Sequence, residues 1–96
     1  MIQHMVWIEF KEEIDAGAIE AHLERLRGLE EAVPSVRGLW AGPNVTERAK
    51  GFTHGLLVTV DNLDGLEAYA DHPDHVAAAS ALREDAASIM AMDIDV

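Results

Sequence analysis

Tyr69, His72 and His75 stand together in YADHPDHV, residues 69–76, around Pro73. The chain has five histidines and one tyrosine, so this short stretch holds two of the former and all of the latter. A phenol and an imidazole facing one cavity can polarise a carbonyl and abstract an α-proton. Pro73 suits the first turn of a helix, with Asp71 or His72 as its cap. His75 then sits in that first turn, where the positive end of the helix dipole disfavours a protonated ring. A neutral imidazole near physiological pH is a proton acceptor. Asp71 and Asp74, if close, push the other way. A bend at His72–Pro73 would bring the Tyr69 hydroxyl and His75 to the same side. The structural alternative is that Tyr69 packs its ring in the core and that His72 or His75 caps a helix end. A third reading has His72 and His75, at i and i+3, approaching one ion with Asp71 or Asp74 as a further ligand. Proline at the helix start makes those two rings diverge as readily as converge.

The elements that must position these groups follow from hydrophobic period. Ile2 to Phe10 alternates, with Ile2, His4, Val6, Ile8 and Phe10 on one face and Met5 and Trp7 on the other. Asp15 is a helix cap, and Ile19, His22, Leu23, Leu26, Leu29 and Val33 recur at helical spacing up to Pro34. Val36 to Gly42 reads as a second strand, followed by the polar loop GPNVTERAKG. Thr53 to Asp61 is a third strand, with His54, Leu56, Val58 and Val60 on one face and Leu57 and Thr59 on the other. Asp61 or Asn62 caps a short helix to about Ala70. The next helix covers DHVAAASAL, and Ile89 to Val96 alternates as a fourth strand. The order β-α-β-β-α-β is the ferredoxin-like split pattern, an α+β domain with a four-stranded antiparallel sheet. Residues 1–96 are expected to form one domain.

His4 and His54 fall on strand faces that point toward the helices, near the starts of strands that should run antiparallel. One such histidine is usually a satisfied core residue. Two suggest a polar-lined cavity with a histidine at each end.

Composition narrows the classes of function. Eighteen acidic and seven basic residues give a formal charge of −11. Nucleic-acid binding needs a basic face, and anionic membranes repel such a chain. No apolar run approaches the roughly 20 residues that span a bilayer. MIQHMVWIEF lacks the features of a signal peptide, and there are no cysteines, which fits a cytoplasmic protein. Ser35, Ser80 and Ser88 lie in no nucleophile elbow. GLWAGPN lacks the lysine and following helix of a phosphate loop. Helices in this pattern cover only one face of the sheet. The other carries Met5, Trp7 and Leu57, and a two-fold dimer packed sheet on sheet would bury it.

QHMVWIEFKEEI, GFTHGLLVTVDNLDGLEAYADHPDHV and MAMDIDV together resemble the stress-responsive A/B barrel domain (Dabb) family nearly end to end. The strand GFTHGLLVTV followed by YADHPDHV is the specific part. The resemblance implies a homodimer whose two sheets form a shared α+β barrel. The family's catalytic members include plant polyketide cyclases, which close a poly-β-ketone by aldol condensation and require no cofactor. By motif position it implies His75 as general base, Tyr69 as hydrogen-bond donor to a carbonyl or enolate oxygen, and His4 and His54 as pocket lining. A small apolar carbonyl or phenolic compound is the implied ligand. Some members hold a structural magnesium ion on main-chain carbonyls where the first helix ends, at positions matching Glu30, Val33 and Val36. The cyclases carry aromatic residues along the first helix, where this chain has His22, Leu23 and Leu26. A related barrel family comprises cofactor-free monooxygenases. The alternative to catalysis is a stress-related structural or ligand-binding dimer.

Overall fold

The computed structural model describes residues 1–96. Four strands, β1 (Ile2–Phe10), β2 (Val36–Pro43), β3 (His54–Val60) and β4 (Ala86–Asp95), form one antiparallel sheet in the order β2-β3-β1-β4. Between them lie α1 (Ala16–Arg27), the one-turn α2 (Leu29–Ala32), α3 (Leu63–Asp71) and α4 (Pro73–Asp85). This is the ferredoxin-like arrangement. No helix is long and apolar enough to cross a membrane.

Local chemistry sets the helix ends. Asp15 accepts from the Ala18 N–H at 2.8 Å, and Asn62 accepts from the Gly65 N–H at 2.9 Å. Pro73 opens α4, and its cap is the His72 ring, whose Nδ1 accepts from the Asp74 N–H at 3.1 Å. Two boundaries differ from the sequence reading. The first helical stretch divides at Gly28, although the Gly28 N–H still bonds to the Glu24 carbonyl at 3.1 Å. The last strand begins at Ala86 rather than Ile89, because α4 continues to Asp85 and the Ala86–Ala87–Ser88 run carries no apolar period.

The core lies between the sheet and the helices. Ile8, Val58 and Val60 are completely buried there, with Leu26, Leu29, Val33, Tyr69 and Leu82 against them. Each such side chain contributes about 1.5–3 kcal/mol. On the opposite face, register aligns Trp40, Leu57, Met5 and Met92 into one apolar row across all four strands. Trp40 keeps 61% of its surface and Met92 48%. The alternation of β1 thus places its two faces as expected, with no helix over the second.

Candidate functional site

The helix joint at His72 assembles the site. Tyr69 is in the last turn of α3 and His75 in the first turn of α4. Their ring centroids are 4.4 Å apart. His4, from β1, approaches Tyr69 from the other side at 5.9 Å. The phenol ring therefore has an imidazole on each flank, drawn from elements some seventy residues apart.

Hydrogen bonding fixes the imidazole tautomers. His75 Nδ1 lies 2.9 Å from the Ala70 carbonyl, which can only accept, so Nδ1 carries the proton and Nε2 the lone pair. His4 Nδ1 meets the Asp93 carboxylate at 2.5 Å, so its lone pair is also on Nε2. Burial pushes the His75 pKa down; the Ala70 carbonyl opposes this, and the charge of a protonated His4 adds to it. His75 is thus held as a neutral base at physiological pH. Burial pushes Tyr69 up to about 12, so its hydroxyl stays protonated and is a donor. That hydroxyl is buried and has no hydrogen-bond partner, in a residue only 1% exposed. A buried O–H without an acceptor is a cost that native cores seldom carry.

His54 is not part of this cluster. It pairs with Ile8 in the sheet, four residues along β1 from His4, so the two are about 13 Å apart. They occupy opposite ends of the covered face, as antiparallel strands require. At its own end, His54 sits edge-on to Phe10 at 5.3 Å and bonds to the Thr53 hydroxyl at 2.8 Å. His22 stacks on Phe10 at 5.8 Å and bonds through Nε2 to Asp85 at 2.7 Å. Burial lowers the His54 pKa, with Glu20 opposing.

Two residues escaped the sequence reading, Asp93 and Asp85. Each fixes a histidine, across 89 and 63 residues respectively. The strand phase of Asp93 and the placement of Asp85 beside α1 were the only signals, and pairing requires the fold.

The structure overturns an ion held by His72 and His75. His72 Nδ1 is committed to the Asp74 N–H and His75 Nδ1 to the Ala70 carbonyl, and no group of three His, Cys, Asp or Glu side chains converges. The structural and chemical readings of YADHPDHV both hold in part. Tyr69 belongs to the core and His72 caps α4, yet the Tyr69 hydroxyl is unpaired beside His75. The five principal cavities, about 190 to 450 Å³, lie elsewhere; His54 lines the smallest of them. At the end of α2, the Val33 carbonyl accepts from the Val36 N–H at 3.1 Å, leaving one lone pair. Oxygen donors at a helix end, as at Glu30, Val33 and Val36, fit the chemistry of a hard cation.

The fold and the imidazole–phenol cluster define a small α+β barrel-type domain. The sequence matches the stress responsive A/B barrel domain family over residues 2–96, and the chain belongs to that family. It is 29% identical over 77 residues to olivetolic acid cyclase of Cannabis sativa, covering 78% of this chain and 76% of the relative. A stress-response A/B barrel domain-containing protein of Arabidopsis thaliana is 30% identical, covering 98% of this chain and 85% of the relative. Among solved structures, one described as a dimeric ferredoxin-like protein of unknown function, from a Jannaschia species, superposes with a TM-score of 0.86. It is 27% identical and covers 99% of this chain and 98% of that one.

Proposed function

We propose that the chain is a homodimeric barrel that binds a small enolisable carbonyl compound and moves its α-proton without a cofactor. The observation that carries this reading is the buried, unpartnered Tyr69 hydroxyl beside the neutral ring of His75. His75 Nε2 would take the α-proton, and the Tyr69 O–H would donate to the carbonyl oxygen as it gains charge. If the enolate carbon attacks a second carbonyl of the same molecule, a C–C bond forms. The imidazolium then returns its proton to the new alkoxide, and His75 is regenerated. Asp93 holds His4 with its Nε2 lone pair outward, and His4 and His54 line the ligand's path. The kinship to olivetolic acid cyclase supports a polyketide-like ligand.

The apolar row Trp40–Leu57–Met5–Met92 supports a dimer packed sheet on sheet, since soluble monomers rarely expose such a patch. Sedimentation should give twice the chain mass, and Leu57→Glu should give the single mass. A magnesium ion on the Glu30, Val33 and Val36 carbonyls would be structural. Added magnesium should then raise the melting temperature and a chelator lower it.

The catalytic test is deuterium uptake at the α-carbon of slowly exchanging ketones in heavy water, followed by proton NMR. The chain should accelerate uptake, and His75→Ala should lose about 10²–10⁴-fold of that acceleration with the dimer intact. Uptake at the same rate with His75→Ala would remove His75 from the chemistry. The second reading, a non-catalytic stress-related dimer, is favoured by the tight packing of Tyr69 in the core. Ligand binding without uptake would select it.

A further inference from the structure

The loop between β2 and β3 folds back over one end of the open sheet face and encloses a cavity of about 350 Å³. That volume is within the range of small-molecule sites. Trp7 and Phe52 form its aromatic walls, their ring centroids 6.5 Å apart and the planes opened at 43°. Met90 closes the apolar side. Arg48 and Lys50 line the same cavity. The chain has only seven basic residues in all, against a net charge of −11. Neither Arg48 nor Lys50 forms an ion pair, whereas Arg27 and Arg37 each do.

The backbone is built to hold this arrangement. Asn44 folds onto Thr46 through both its amide nitrogen and its oxygen. The Phe52 N–H returns to the Ala49 carbonyl at 3.0 Å, and the Thr53 N–H reaches the Ile8 carbonyl at 2.9 Å. Lys50 has a φ of 52° and Gly51 a φ of 97°. Lysine is an uncommon choice for the left-handed region, which glycine or asparagine enters more readily. Its presence puts an ammonium group at the wall of an aromatic cavity, at a backbone cost that the turn alone does not require.

We propose that this cavity is a second binding site, on the opposite face of the sheet from Tyr69 and His75, for a small aromatic carboxylate. The ring stacks against Trp7 or Phe52, and the carboxylate is held by Arg48 and Lys50. A neutral aromatic leaves two unpaired cations facing it; an aliphatic anion forgoes the two rings. An aromatic acid uses both halves of the cavity. The walls are supplied by the chain's own loop, so the site does not depend on a second copy to form.

The test is proton–nitrogen NMR of the whole chain, following the Trp7 indole N–H (assigned with a Trp40→Phe variant) during titration with benzoate and, separately, benzamide. Benzoate should give a saturable shift at Trp7 and through Ala49–Phe52, with benzamide about tenfold weaker or more. Arg48→Ala and Lys50→Ala, both changes at exposed side chains, should each weaken benzoate about tenfold with the melting temperature unchanged. Tyr69→Phe should leave the titration as it was. Four results would each overturn the proposal: no saturable shift, equal binding of benzamide, loss of the shift in Tyr69→Phe, or a fall in oligomer mass in Arg48→Ala. The last would assign the cavity to contact with a second copy.

Discussion

The two ends of the covered sheet face are built to nearly the same plan. At one, His4 and His75 flank the ring of Tyr69; at the other, His22 and His54 flank the ring of Phe10. Each end has one histidine bonded to an aspartate, Asp93 or Asp85. Each has a second histidine whose pKa burial lowers, His75 or His54. The difference is one oxygen atom. The Tyr69 end carries a buried hydroxyl with no partner, and the Phe10 end carries none. Packing alone explains Phe10 with its two imidazoles. It does not explain a phenol where phenylalanine would fit and avoid the unpaired donor. The comparison assigns chemistry to one end and scaffold to the other.

Truncation should first show the ends as equals. Tyr69→Ala and Phe10→Ala each remove a buried ring and should cost about 3–5 kcal/mol, read by urea unfolding. A much smaller loss at Tyr69 would mean that its end is loosely packed. Tyr69→Phe should then separate them. Deleting the orphan hydroxyl should stabilise the chain by about 1 kcal/mol, a rise of about 4–8 °C in melting temperature, while ligand-dependent shifts at His75 vanish. Destabilisation would show that the hydroxyl has a partner after all.

The pH dependence has a definite sign. His75 and His54 have folded-state pKa values below the ordinary 6.5. As pH falls below 6.5 the unfolded chain takes up protons first, so stability is full above that value and is lost as pH falls through the folded values. His75→Asn and His54→Asn should each flatten this slope, read from melting temperature against pH. The smallest effect belongs to Asp85→Asn. Weakening the half-buried His22 bond should cost about 1 kcal/mol and leave any ligand response at His75 unchanged. A lost response would make the two ends one continuous site.

The sequence made the Tyr69 end legible because its chemistry is local. Pro73 marks a helix start whatever the rest of the chain does, and Tyr69 and His75 lie within one turn of it on either side. Strand alternation likewise put His4 and His54 on the covered face, and antiparallel pairing put them at opposite ends. What stayed hidden depends on distant pairing. Asp93 looked like one polar residue in an alternating strand until register set it opposite His4. His22 read as part of an apolar helix face, and only the course of α4 into β4 brings Asp85 to it. The loop over Trp7 showed only as a polar stretch with turn residues. Its left-handed Lys50 is a property of the backbone that composition does not display.

The central claim is that the unpaired Tyr69 hydroxyl and His75 act on a ligand together. The most direct test is an NMR titration of the five histidine ring systems with a panel of β-diketones and phenolic acids, in the parent chain and in Tyr69→Phe. The account predicts ligand-dependent shifts at His75 and smaller ones at His54, both abolished in Tyr69→Phe. Histidines that respond alike with and without the hydroxyl, or do not respond at all, would contradict it.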